Sequence, residues 1–109
     1  MALEDRGNAF ENKYKHDEEV KFKVEARLAK LFGLWVAGHL GLESEQAKEY
    51  AKAMVNTQLE EAGNDDIIRK ADSDLKAAGK SISLTALQAE VDQLEAKARE
   101  QIMNEVKKD

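Results

Sequence analysis

The fold of this chain is decided by residues 17–41, which read DEEVKFKVEARLAKLFGLWVAGHLG. Apolar residues recur there every three or four positions, which is the spacing of one face of an α-helix. They are Val20, Val24, Leu28, Leu31, Trp35 and Leu40. Acidic residues from Asp17 onward favour a helix N-terminus, and Gly41 is placed to end the helix. The stretch therefore predicts a long amphipathic helix over residues 17–40.

The end of this predicted helix is apolar on nearly every side. Residues 31–36, LFGLWV, contain a single glycine and no polar residue. A helix that is apolar all round is buried by neighbours on more than one side, or it forms a contact surface. The sequence favours burial and leaves the contact surface as an alternative.

Three further helices follow. The second begins at Ser44 as N-cap and ends at Gly63, the third runs from Asn64 or Gly63 to Gly79, and the fourth is capped by Ser83. Their predicted buried positions are Ala47, Tyr50, Ala51, Met54, Val55 and Leu59; Ile67, Ile68, Ala71, Leu75 and Ala78; and Leu84, Leu87, Val91, Leu94, Ala98, Ile102 and Val106. A coiled-coil strand is the alternative for the last, but it offers too few heptads. Short connections between four amphipathic helices predict an all-α, four-helix bundle.

Residues 1–16, MALEDRGNAFENKYKH, have a different character. Their apolar residues are isolated, and Gly7-Asn8 is expected to break any helical run. Phe10 and Tyr14 are four apart and would share a face if the segment became helical. We predict a mobile N-terminal arm with latent helicity over residues 1–16, and a bundle over residues 17–109. A frayed terminus without a role is the alternative.

The composition excludes several classes of function. The 109 residues include no Cys and no Pro and carry a net charge of −5, so disulfides, thiolate metal sites and nucleic-acid binding are not expected. The longest apolar stretch, residues 31–42, is too short to cross a membrane. No phosphate-binding glycine motif occurs, and neither His16 nor His39 has a paired ligand on its helix. We expect no enzyme, no metal site and no required cofactor, but an interaction module in the cytoplasm.

Several motifs resemble the ATPase inhibitor zeta-subunit family of α-proteobacteria. They are AFENKYKHDEE at 9–19, FKVEAR at 22–27, LFGLWVA at 31–37, LGL at 40–42, YAK at 50–52, LEEAG at 59–63, Asp65-Asp66, Arg69-Lys70 and AREQI at 98–102. The resemblance covers nearly the whole chain. The most specific parts are the approach from Asn12 to Asp17 and the Gly33-Leu34-Trp35 core.

The resemblance implies a function. Members inhibit ATP hydrolysis by the F1 sector of ATP synthase, and their N-terminal region folds into a catalytic α/β interface beside the γ subunit and blocks rotation. Carried over, the partner-binding residues of the arm are Leu3, Glu4, Asp5, Arg6, Phe10, Asn12, Lys13, Tyr14 and His16. The free protein is expected to be a monomer that acts at the cytoplasmic face of the membrane-bound enzyme. The alternative is a regulatory bundle that binds ATP or ADP and inhibits weakly or not at all.

The chain departs from the family pattern at two places. Gly7 stands where the family carries a helix-forming charged residue, and together with Asn8 it is expected to weaken inhibition by up to about tenfold, since Gly costs about 1 kcal/mol in a helix. Where the family commonly reads Arg-Arg-Asn-Lys, residues 27–30 read RLAK, so one basic side chain is missing.

Overall fold

The structure is a computed structural model that describes the backbone of residues 2–60 and 63–108 and the side chains of residues 18–60 and 63–106. Four helices follow one another: α1 Ala2–Leu40, α2 Ser44–Glu60, α3 Asp65–Ala77 and α4 Leu84–Lys108. Every regular element within the described backbone is a helix. The prediction of an all-α, four-helix bundle is confirmed.

The first helix begins earlier than predicted. It runs without interruption from Ala2 to Leu40, so the expected start at Asp17 and the expected break at Gly7-Asn8 are both wrong. Helix propagation adds one hydrogen bond for each residue that it fixes, and a single Gly and Asn together cost only about 1.5 kcal/mol. Proline, which breaks a helix because it lacks the backbone N–H, does not occur in the chain. The mobility of residues 1–16 stays a prediction.

The predicted helix ends are mostly confirmed. Gly41 and Gly79 adopt positive φ angles of 77° and 76° and close α1 and α3 with hydrogen bonds typical of glycine C-caps, such as Lys80 N–H to the Leu75 carbonyl at 2.8 Å. At the start of α4 the Ser83 hydroxyl accepts the Ala86 amide at 3.1 Å. Helix α2 begins at Ser44, as predicted, but its N-cap is Glu43 and not Ser44, because the Glu43 carbonyl accepts the first helical hydrogen bonds.

One apolar cluster joins all four helices. Its buried members are Val24, Leu28, Ala29, Phe32, Val36, Met54, Ile67, Ile68, Ala71, Leu75, Leu87, Val91, Ala98 and Ile102. Most predicted stripe positions are therefore confirmed, but Leu59, Ala78 and Leu84 are exposed. On α2 the buried position is Gln58 instead of Leu59. The end of α1 is buried on more than one side, as expected, although Leu34 remains exposed.

Helix α1 packs most extensively against α2 and α4. Gly33 brings α1 against α2 so closely that a Cβ at position 33 would lie 2.7 Å from the Ala51 Cα. Arg27 ties α1 to α4 by donating to Gln101 Oε1 and Glu105 Oε1, both at 2.8 Å. The missing basic side chain of the 27–30 motif is explained here, because Leu28 and Ala29 are core positions.

Candidate functional site

The predicted partner-binding residues all lie in the first four turns of α1. They are Leu3, Glu4, Asp5, Arg6, Phe10, Asn12, Lys13, Tyr14 and His16, and their side chains lie outside the described residues. The backbone places all of these positions on one helix that continues into the bundle. Their roles in partner binding stay predictions.

The bundle itself carries a groove between α1 and α2, here called the α1–α2 groove. It is lined by Lys30, Leu34, Lys48, Ala51, Lys52 and Val55 and has a volume of about 620 Å³. Leu34 of α1 and Ala51 and Val55 of α2 form its floor, and the lysines form its rim. Ala51 is also the residue against which Gly33 packs. The floor is therefore aliphatic and the rim is basic.

A second depression continues the groove along α1 toward its N-terminus. Lys30 and Val55 border both, and the second depression adds Phe22, Lys23, Ala26 and Arg27 from α1 and Ile102 and Glu105 from α4. Phe22 is 55% exposed and Leu34 is 37% exposed. Exposed apolar side chains that lie close together, and aromatic ones above all, are typical of a protein-binding surface.

The remaining polar clusters of the bundle are structural. The Tyr50 hydroxyl donates to Asp74 Oδ2 at 2.6 Å, and the Lys70 ammonium lies 3.2 Å from the same oxygen. Burial, followed by the hydrogen bond to Asp74 and its negative charge, raises the pKa of Tyr50 far above its usual value. A phenol that keeps its proton at any physiological pH is neither a base nor a nucleophile. The cluster holds α2 to α3.

Near the C-terminal end of α1, Trp35 packs against two neighbouring rings. Trp35 lies 5.9 Å from the Phe32 ring and 4.4 Å from the His39 ring, centre to centre. Trp35 lines neither the α1–α2 groove nor the depression that continues it. ATP or ADP binding by the bundle stays a prediction.

Two other expectations are compared with the described part of the chain. Its side chains contain no group of three metal-ligating residues in position to bind an ion. No helix there is long and apolar enough to cross a lipid bilayer.

The α1–α2 groove was missed by sequence reasoning, although part of its signal was present. Lys48 and Lys52 are four apart and must share a face of α2. Lys30 lies on another helix, so its position opposite them depends on the antiparallel packing that brings Gly33 to Ala51. Only that packing assembles the three lysines.

Comparison with known proteins supplies the family. The family model described as ATPase inhibitor subunit zeta matches residues 1–101. A solved structure described as a solution NMR structure of the protein is 40% identical, with a TM-score of 0.67, and the match covers 78% of this chain and 96% of that one. No curated protein matches the chain.

The family match covers the arm as well as the bundle. The family's role is the inhibition of an ATPase, which is regulatory, and it implies an interaction with the F1 sector of ATP synthase. The chain therefore belongs to the ATPase inhibitor subunit zeta family.

Proposed function

We propose that this protein inhibits ATP hydrolysis by F1 through residues 1–16. The arm binds as a helix in a catalytic α/β interface beside the γ subunit and prevents rotation, while the bundle remains outside the enzyme. The anchors would be the apolar arm residues Leu3, Phe10 and Tyr14, and the charged and polar arm residues would give specificity.

The observation that supports this proposal is the length of α1. The helix has 39 residues, against 25 in α4, so it is longer by about 21 Å at 1.5 Å per residue. The molecule measures 64 × 25 × 21 Å, and its long axis is close to the length of α1 alone. A helix that projects beyond the bundle suits insertion between subunits of a larger enzyme.

The bundle gives this projection a firm base. Gly33 seats α1 against Ala51 of α2, and Arg27 joins it to Gln101 and Glu105 of α4. Because the base is fixed at two levels, the free energy of binding at the arm is not lost to bending at the junction.

Deletion of residues 1–16 tests the proposal. The shortened protein should keep its helical circular dichroism spectrum and lose inhibition of ATP hydrolysis by F1 from the source organism. Co-purification of the full-length protein with F1 is the accompanying binding assay. Full inhibition by a folded, shortened protein would refute the role of the arm.

A Gly7→Ala substitution tests whether the arm acts as a helix. Because residues 1–16 are predicted to be mobile in the free protein and helical when bound, alanine, which favours a helix by about 1 kcal/mol over glycine, should lower the cost of ordering them and strengthen inhibition by about fivefold. Gly38→Ala is the matched control, since position 38 lies in the same helix with open space around its Cβ. The control should leave inhibition unchanged; equal potency of both variants and the native protein would place residue 7 outside the bound helix.

Binding of ATP or ADP by the bundle is kept as the alternative proposal. Titration of the full-length protein with nucleotide, followed by Trp35 fluorescence and amide NMR shifts, tests it. The absence of any change at about millimolar nucleotide, a usual ceiling for ligand affinities in the cell, would reject it.

A further inference from the structure

The extended surface along α1 and α2 has a geometry that the arm does not explain. Its exposed apolar side chains, Phe22 and Leu34, stand 12 residues apart on α1, which is about 18 Å. Ala51 and Val55 of α2 continue the apolar floor between them. The surface is open along its length and therefore fits an elongated ligand.

The charge of this surface is opposite to that of the whole protein. Lys23, Lys30, Lys48 and Lys52 line it, while the chain carries a net charge of −5. No carboxylate among the described side chains lies within ion-pair distance of Lys23, Lys30 or Lys52. Lys48 lies 3.5 Å from Glu45, but both groups are exposed and the pair is weak.

Acidic residues border this surface at its Phe22 end: Glu105 lines the second depression, and Glu18 and Glu19 line a depression with Phe22 and Lys23. Glu105 Oε1 is 2.8 Å from the Arg27 guanidinium, so its charge is balanced locally. The lining around Lys30, Lys48 and Lys52 contains no carboxylate, so the positive potential is concentrated in the α1–α2 groove. A ligand that carries carboxylates on either side of an apolar stripe complements both features at once.

We propose that the α1–α2 groove, extended to Phe22, docks an acidic amphipathic helix on the outside of the F1 partner. This inference rests on the proposed function, because it names a second contact with the same partner. Phe22 and Leu34 meet the apolar stripe of that helix, and the lysines meet the carboxylates beside it. The groove and the arm both include residues of α1, so a single F1 molecule can contact the groove and the arm at the same time.

The chemistry of the groove favours this occupant over other anions. Nucleic acid binds chiefly through phosphate contacts, which would leave the aliphatic floor of the groove and the exposed Phe22 uncovered. A nucleotide base would find an aliphatic floor, since no aromatic side chain lines the part between Lys30 and Lys48. Side chains of an acidic helix need only the apolar floor and the basic rim that are present.

A charge-reversal experiment in the full-length protein tests the proposal. Lys30→Glu with Lys52→Glu should weaken both F1 binding and inhibition by at least about tenfold at low ionic strength, and by less at high salt. The control pair, Lys80→Glu with Lys97→Glu, produces the same net charge at exposed positions away from the groove. Circular dichroism checks that each variant is folded.

A second substitution tests the apolar anchor without changing charge. Phe22→Ala should weaken F1 binding by about tenfold, whereas Leu84→Ala, at an equally exposed apolar position on α4, should not. If the charge-reversed protein does not fold, the comparison of Phe22→Ala with Leu84→Ala still tests the docking surface. Zero-length carbodiimide cross-linking of the complex should join Lys30 or Lys52 to carboxylates of an F1 helix.

The outcomes separate this inference from the proposed function. If the native protein binds and inhibits F1 but the groove variants match their controls, the docking surface is refuted and the arm mechanism stands. If the native protein neither binds nor inhibits F1, both are refuted. If ATP alone shifts the groove resonances and the Lys30→Glu/Lys52→Glu variant loses only that response, the groove is a nucleotide site and the docking proposal is wrong.

Discussion

Substitution of Gly33 by alanine should destabilise the bundle. An alanine Cβ at this position would lie 2.7 Å from the Ala51 Cα and 3.1 Å from the Met54 Cβ. The nearest atom belongs to the backbone of α2, so it cannot move aside as a flexible side chain would. The two helices must separate, and the aliphatic contacts on both sides of the crossing are weakened together.

The magnitude follows from two opposing terms. Overpacking a well-filled contact costs about 1–3 kcal/mol, and a clash with backbone belongs at the upper end of that range. Against this cost, alanine stabilises a helix by about 1 kcal/mol relative to glycine. The net loss should be about 2 kcal/mol of unfolding free energy, which lowers the Tm of a domain of this size by about 10 °C.

Gly38→Ala provides the matched control, because it is the same exchange one and a half turns further along α1. Nothing lies within 4 Å of a Cβ built there, so only the helix preference remains and stability should rise by up to about 1 kcal/mol. Urea and thermal unfolding followed at 222 nm would measure both variants. A Gly33→Ala protein as stable as the native one, or stabilised like the control, would refute the close-contact argument.

Three further substitutions test separate contacts. Because the pKa of Tyr50 is raised by burial and by Asp74, the folded state keeps a proton that the unfolded state loses near pH 10; stability should fall as the pH rises above about 10, and Tyr50→Phe should reduce that fall in urea unfolding. Gln58 is 3% exposed; its Nε2 donates to Asn64 Oδ1 at 2.9 Å, but its Oε1 has no hydrogen-bond partner among the described residues. Gln58→Met loses the one bond and removes the unpaired oxygen, so the unfolding free energy should change by no more than about 1 kcal/mol; a larger loss in urea unfolding would contradict this balance. Ser83→Ala removes the hydroxyl that accepts the Ala86 amide and should cost about 1 kcal/mol in thermal unfolding, whereas Ser81→Ala should cost nothing measurable.

The helices could be predicted from local pattern, and the exceptions have identifiable causes. Apolar spacing located all four, and the glycines at 41 and 79 marked two of their ends. The start of α1 was misplaced because a glycine within a helix is a cost and not a stop. The sequence places Leu59 in the core, but Gln58 is buried, because positions 51, 54 and 58 lie on one face of α2 and Leu59 lies beyond the edge of that face. The polar side chain of Gln58 conceals its place in the pattern.

The two candidate sites also differ in how much of them the local sequence predicts. The arm residues were identified from a linear motif, which a single stretch of sequence contains in full. The α1–α2 groove was not identified, since Lys30 and the two lysines of α2 are brought together only by the antiparallel packing of their helices. No single helix shows a pattern of charge that would reveal it.

The sequence by itself determined the helical class, the number of helices and the family, because helix periodicity, caps and motifs are local properties of the chain. The tertiary structure decided which faces are covered and which remain free. Gly33 shows the physical reason: the absence of a side chain at position 33 matters only because Ala51 of α2 packs against it. That contact depends on residues distant in sequence, and it sets both the stability of the bundle and the shape of the surface beside it.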